Sequence, residues 1–382
     1  MKFSFPIALY FLILLFIYPQ IGFGQAMQLS KNATISVLTC ESGTELYSTF
    51  GHTAVRVKDD PLHLDVVFNY GTFDFNTDNF YLKFIKGDLN YFATVSSYSD
   101  FYYEYTLENR SIYEQALLLT DIQKQNLFDS LNATLSADKK YYTYKFIDKN
   151  CTTMVVDQIN TILKTNAIIK KTDTDKTYRE VLTPYLENHF IENLGINIIF
   201  GIKVDQLGKK LFLPNEFMQS LTTSKVNANS ISMPPITVLN AIKKPQPKSL
   251  WNNSYAFASV LILLLLTRKN WVYLMLLTIF GMLGLFLLSV GFYSYHQEVL
   301  YNYNALLFNP LLLGVVYFYI RKNFKWLYYT CITNLVLLMF YTLFLTNKPN
   351  FFTFSLLICT AGIVLYRFFK ISSSKESKTS AL

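Results

Sequence analysis

A chain of 382 residues that is 51% hydrophobic, 17% aromatic and only 16% charged is too apolar for an ordinary soluble enzyme and reads as a membrane protein. Its net charge of +8 lies largely beside the apolar segments, so it reads as topology and membrane-surface charge and not as a nucleic-acid footprint.

The first 26 residues have the make-up of a secretory signal: Lys2, an apolar run from Phe5 to Tyr18, and small residues around Gly22, Gly24 and Ala26. The alternative is an uncleaved signal anchor, for which the run is short. Either way, residues from Met27 onward are expected to be exported.

From Thr34 to Thr94 the pattern is mainly strands. Ile35–Thr39 is one, and Glu45–Val57 ends in another led by His52. Asp65–Gly71 follows after a turn at Asp59-Asp60-Pro61, and Leu89–Val95 closes the group. Strand alternation places His52 on one face with Ala54 and Arg56, opposite Val55 and Val57. Phe73–Gly87 reads as containing a short helix. Thr120–Leu135 reads as an amphipathic helix capped by Thr120, with Ile122, Leu127, Leu131 and Leu135 as its apolar stripe. Tyr141–Ile147 is a last strand. It leads into Asp148-Lys149-Asn150-Cys151, where Asp148 and Asn150 are N-cap candidates and Val155, Val156, Ile159, Ile162 and Leu163 recur at helical spacing.

Cys151 thus falls in the first turn of a helix, where unpaired N–H groups and the positive helix end favour thiolate over thiol. A cysteine there and a histidine on a strand are the two parts that a thiol nucleophile and its base require. The bland alternatives are a buried structural cysteine and a Cys40–Cys151 disulfide, since both lie in the exported part. Asn69 on the following strand is the first choice to orient His52, with Asp74 second. His63 and His189 are assigned no role. No metal-ligand spacing, P-loop or dinucleotide motif appears, so no cofactor or metal is expected.

Further on, Thr177–Phe190 reads as a helix, and Leu213-Pro214 starts another. The exported domain is placed at 27–221. Residues 222–253 lose periodicity and gather prolines, which reads as a linker. A helical membrane domain at 254–370 follows, with apolar segments near Tyr255–Thr267, Trp271–Val290, Ala305–Ile320, Trp326–Leu345 and Phe351–Phe369, and then a cytoplasmic tail at 371–382. Arg268-Lys269, Arg321-Lys322-Lys325 and the basic C-terminus alternate with the segments, so all three groups face the cytoplasm if five helices follow an exported domain. The loop between the second and third spans carries His296, Asn302, Asn304 and Asn309 and faces the same compartment as Cys151. It is either a substrate-binding surface or an interfacial polar belt.

His on a strand followed by Cys at a helix start reverses the order of papain and resembles the circularly permuted papain-like superfamily, which includes NlpC/P60 and lecithin:retinol acyltransferase-like proteins. The closer resemblance is to Bacteroidetes-type membrane proteins with an Lnb N-terminal periplasmic domain. It is carried by Phe50-Gly51-His52, Phe68-Asn69-Tyr70-Gly71-Thr72-Phe73, Asp148 with Asn150-Cys151-Thr152-Thr153, Tyr178-Arg179, Gly201 with Asp205, Leu213-Pro214, and His296 with Asn302, Asn304 and Asn309-Pro310. Lys149 departs from the expected Asp-Asn-Cys run, and an Arg expected soon after the cysteine is missing.

The resemblance implies an α+β fold: a permuted papain-like exported domain followed by about five transmembrane helices, in the bacterial inner membrane. It also implies a lipoprotein N-acyltransferase, with a phospholipid as acyl donor and a diacylated lipoprotein as acceptor. Cys151 and His52 would then carry a thioester step, with His296, Asn302, Asn304 and Asn309 binding substrate. Burial of an acyl chain contributes about 0.8 kcal/mol per CH₂, so drawing a ~16-carbon chain into water would cost about 12 kcal/mol, and an anchored enzyme avoids that step. The competing functions are a papain-like cysteine hydrolase, acting as amidase, peptidase or lipid thioesterase, and a non-catalytic membrane subunit.

Overall fold

The computed structural model describes residues 27–187, 189–242 and 249–379, so the signal expected at 1–26 lies outside the described residues. Strands β1 (Thr34–Cys40), β2 (His52–Asp59), β3 (Leu64–Thr72), β4 (Asn90–Ser97), β5 (Ile112–Ala116), β6 (Tyr141–Thr143) and β9 (Ile236–Leu239) form one sheet, in the order β6-β4-β3-β2-β1-β5-β9. Every neighbouring pair in it is antiparallel. Short strands β7 (Lys225–Val226) and β8 (Asn229–Ser230) make a separate hairpin.

The sheet is covered on both faces, as the alternation in β2 requires. Val37, Val55, Val57 and Phe68 face three helices, α3 (Asp121–Ala133), α4 (Cys151–Leu163) and α7 (Pro214–Thr223), through Leu127, Leu131, Val155, Ile159, Phe217 and Leu221. Leu38, Cys40, Ala54 and Val67 face Phe101 and Tyr105 of α2 (Tyr98–Leu107). Burying each Val or Leu contributes about 1.5–3 kcal/mol. Arg56 shares the second face, but it spans β3 and β5 by pairing with Asp65 at 2.7 Å and Glu114 at 3.0 Å under the Tyr98 ring.

Several expectations shift at their edges. Thr120 does cap α3 through a capping box with Gln123, but Ile122 points to solvent, and Phe128 takes its place in the stripe. The expected short helix is α1 (Phe80–Lys86). The helix expected over Thr177–Phe190 ends early: Thr177 caps α5 (Tyr178–Leu182), and the Pro184 turn tightens into a 3₁₀ turn at Thr183–Leu186; α6 (Phe190–Ile199) is a further helix beyond the expected one. Part of the stretch read as linker supplies β9, so it completes the sheet against β5.

The membrane part comprises α8 (Ser254–Leu266), α9 (Asn270–Tyr293), α10 (Leu311–Ile320), α11 (Phe324–Leu345) and α12 (Phe351–Thr379). Among the described residues three helices are long and apolar enough to cross a membrane, and α10 with the preceding 297–306 turns makes a fourth, bent by 41°. The fifth apolar segment, α8, has 13 residues and reaches about 20 Å, short of a core about 30 Å thick. Helix α12 runs on to Thr379, into the expected tail. The basic ends gather as the charge rule requires. Arg367 donates to Asn270 Oδ1 at 2.9 Å and to the Arg268 carbonyl at 2.8 Å, and Asn270 donates to the Tyr319 hydroxyl at 2.7 Å.

The exported domain is bolted to the other end. Buried Arg179 pairs with Asp205 at 2.7 Å and donates to Asn197 and, at 3.1 Å, to the Tyr303 hydroxyl. Phe190, Leu194 and Ile198 of α6 pack into the membrane core.

Candidate active site

The site lies at the end of the sheet where β2 begins and β3 bulges. Gly51 precedes His52 with φ +79°, and a Cβ there would sit 2.6 Å from the Cys40 carbonyl, so only glycine lets the chain enter β2 at this angle. The β3–β4 register shifts between Asn69 and Thr72, and Gly71 inside that bulge has φ +92°. A side chain on Gly71 would point at Cys151, whose Cβ is 3.9 Å from the position of a Gly71 Cβ.

Cys151 is the first residue of α4, as its spacing predicts. Asn150 is the cap: its side-chain oxygen accepts from the Thr153 N–H at 3.0 Å, and the Thr153 hydroxyl accepts from the Asn150 N–H at 2.8 Å. The Asn150 amide also donates to the carbonyls of Phe146 and Phe212, at 2.8 and 2.9 Å. Asp148, the other cap candidate, is engaged elsewhere, by Lys203 and by Lys210 at 2.9 Å. Burial pushes its carboxyl up, but hydrogen bonds from the two lysines outweigh that and hold it low. Below the first turn, the Thr152 hydroxyl meets that of Thr53 at 3.0 Å and pins α4 to β2.

His52 Nε2 lies 3.1 Å from Asn69 Oδ1. An amide oxygen only accepts, so the shared proton sits on Nε2, which leaves Nδ1 for the thiol. Burial raises the Cys151 pKa, but the charge of His52, a hydrogen bond to it, the Thr53 N–H and the Thr152 hydroxyl more than reverse this, and the thiol is held below its ordinary value. Burial pulls His52 down, and the charge of Cys151 with the hydrogen bonds to Cys151 and Asn69 raise it above its ordinary value. The two opposite shifts have one cause, since each group favours the charged form of the other. Both residues are half-buried.

Cys40 is a different kind of cysteine. It is a free thiol, as is Cys151, which removes the disulfide alternative. Cys40 faces α2 across the sheet, and burial pushes its pKa up to about 12. Tyr142 and Tyr144, which the sequence reading does not single out, stand close to Cys151. Burial raises both phenols and the sulfur's charge adds to it, while the Gly71 N–H lowers that of Tyr142. No acceptor takes the Tyr142 hydroxyl proton among the described residues. Their place at the strand leading into the Cys151 loop is the one signal the sequence offers.

The chain matches the Lnb N-terminal periplasmic domain over residues 25–183 and the Lnb transmembrane domain over residues 255–376. It belongs to the Lnb family. No match is found among curated proteins or among solved structures. Lnb membership places the sheet domain in the periplasm beside a transmembrane domain, in a membrane protein that acts on lipoproteins.

In this Lnb chain Cys151, His52 and Asn69 come together, and the other expected site residues go elsewhere. Asp74 accepts from the Asn76 N–H in an exposed turn. His296 Nε2 meets the Phe84 carbonyl at 2.8 Å. Asn302 donates to the carbonyls of Ile198 and Ile199, both at 2.8 Å. Asn304 is buried, donates to the Asn197 carbonyl at 2.8 Å and accepts from the Tyr341 hydroxyl at 2.8 Å. Asn309 donates to the Leu306 carbonyl at 3.0 Å. These four fasten the periplasmic domain to the membrane helices or brace the loop between them. Among the described residues no group of three or more His, Cys, Asp or Glu side chains gathers as a metal site.

Proposed function

We propose that this protein is an inner-membrane N-acyltransferase that moves a fatty acyl chain from a phospholipid to the α-amino group of a diacylglyceryl-cysteine, through a thioester on Cys151. The observation that carries the reading is the activated Cys151–His52–Asn69 constellation in a domain clamped to the membrane helices. The Cys151 thiolate attacks the donor ester carbonyl, and the imidazolium of His52 gives its proton to the departing glycerol oxygen, releasing a lysophospholipid. The acceptor amine then attacks the thioester, His52 takes the amine proton, and the carbon–sulfur bond breaks to restore the thiolate. The Tyr142 hydroxyl and the first-turn N–H groups of α4 that Asn150 does not cap would hold the oxyanion in both steps.

The test is the acceptor. With phospholipid alone, a Cys151-dependent acyl-enzyme accumulates and intact mass reads it. Adding a diacylated lipopeptide with a free α-amine discharges it, while the N-acetylated peptide does not. Because an α-amine has a pKa of about 8, discharge accelerates as pH rises through that value. Discharge to free fatty acid at one rate with either peptide would replace this reading with a cysteine hydrolase.

A further inference from the structure

The segment between β3 and β4 exposes apolar side chains that nothing among the described residues covers: Phe75 at 65%, Tyr81 at 75% and Leu82 at 66% exposure, with Phe84 beside them. Its height is fixed by the membrane helices. Just past the end of α9, the Ser294 hydroxyl donates to the Ile85 carbonyl at 3.0 Å and the Tyr295 N–H to the Lys86 carbonyl at 2.7 Å. The His296 ring takes the Phe84 carbonyl, and Lys145 donates to the Tyr295 carbonyl at 2.8 Å. That end of α9 is opposite the Arg268, Asn270 and Arg367 cluster, so it is the periplasmic end. The last turn of α9 is itself apolar and bare, with Phe292 and Tyr293 exposed. The exposed segment is therefore continuous with the surface of a span at the depth where aromatic side chains meet lipid headgroups. Lys83 rises from the same short helix, with a stem long enough to reach the headgroup layer, while Lys86 is held by Asp88.

Behind these residues the rings run inward without a break. Phe84 stacks on Phe80, which meets Phe75 at 5.0 Å and Phe73 at 5.9 Å between centroids. Phe73 meets Tyr91 at 5.3 Å, and Tyr91 stacks on Tyr144 at 4.4 Å. Tyr144 lies within the field of the Cys151 sulfur, and Phe73 follows the Gly71-Thr72 bulge that faces Cys151.

We propose that Phe75, Tyr81, Leu82 and Phe84 form a ledge seated in the periplasmic leaflet of a phospholipid bilayer, and that the row of rings behind it leads a donor acyl chain to Cys151. The ledge stands on geometry alone; its use as the donor's path rests on the acyl-transfer reading. A protein partner would need a surface matching a strip pressed against the bilayer edge, whereas lipid meets it wherever α9 is inserted.

The experiment uses the full chain in bilayer discs, with Tyr81→Trp and Leu82→Trp made one at a time. The emission added by each new tryptophan, measured against the parent, is quenched by lipids brominated along the acyl chain and spared by aqueous iodide. Quenching by iodide and not by bromine overturns the ledge. For the path, a Phe75→Ser, Tyr81→Ser, Leu82→Ser triple variant is acylated by bilayer phospholipid and by a short-chain soluble thioester. The ratio of the two rates falls severalfold relative to the parent. An unchanged ratio overturns the path. If the parent forms no acyl-enzyme with either donor, the path falls together with the acyl-transfer reading, while the quenching result still decides the ledge.

Discussion

Asn150→Ala tests the geometry that presents the nucleophile. The substitution removes an N-cap, which costs about 1 kcal/mol, by taking the acceptor away from the Thr153 N–H. It also strips the donors from the Phe146 and Phe212 carbonyls, at about 1 kcal/mol each. The sum is about 3 kcal/mol. At 2–4 °C per kcal/mol for a domain of this size, the melting temperature drops by about 6–12 °C. Asn150→Ser keeps a capping oxygen but not the two donated bonds, so it costs about 2 kcal/mol and about 4–8 °C. Melting can be read in the full chain by using Cys40 as the reporter. With Cys331→Ala and Cys359→Ala introduced and Cys151 alkylated beforehand, Cys40 is the remaining one of the four cysteines, and it is buried under the sheet. A thiol-reactive dye then labels it only as the periplasmic domain opens. A Ser variant that melts with the Ala variant would show that the two donated bonds alone matter. An Ala variant that melts with the parent would refute the whole account of how Cys151 is placed.

Three further outcomes follow from the same geometry. His52→Ala removes the two largest influences that lower the Cys151 pKa and leaves burial opposed only by the Thr53 N–H and the Thr152 hydroxyl, so the midpoint of Cys151 alkylation against pH moves up from the parent's; an unmoved midpoint would remove His52 from the pair. Tyr142→Phe preserves the ring and deletes the unclaimed hydroxyl, so acyl-enzyme formation slows on the order of 100-fold while the thiol's alkylation profile holds, and an unchanged acylation rate would leave the hydroxyl outside the reaction. Arg179→Met leaves the buried Asp205 carboxylate with Lys348 alone, at 3.7 Å, and destabilises the protein by about 3 kcal/mol, whereas the double variant with Asp205→Leu recovers most of the loss; equal melting of the single and double variants would mean the bolt contributes little.

Much of the site is legible in the sequence because it depends on local rules. A cap residue before an apolar stripe locates Cys151, and period-two alternation puts His52 on the Ala54 face. Asn69 is reachable by the same logic: β2 and β3 pair Ala54 with Asn69, so His52 and Asn69 are diagonal neighbours on one face. What is not legible depends on partners distant in the chain. The amides of Asn302 and Asn304 look like ligand donors in a polar loop, but they are used by α6 about a hundred residues upstream, a helix absent from the sequence reading. The spacing of Phe190, Leu194 and Ile198 is the signal for that helix. Likewise β9 sits in a proline-rich stretch with no alternation of its own, and becomes a strand only because β5 offers an open edge.

That edge strand sets an order of events during export. Everything between β5 and β9, including the helix that carries Cys151, crosses the membrane before Ile236–Leu239 is available to close the sheet, and the first membrane helix follows at Ser254. Until then β5 presents a row of unpaired backbone groups to any strand that passes. The nascent chain is thus at its most adhesive just before it reaches the bilayer. A secreted soluble fragment cut at residue 221 would keep that open edge permanently, while one extended to residue 242 would carry its own cover.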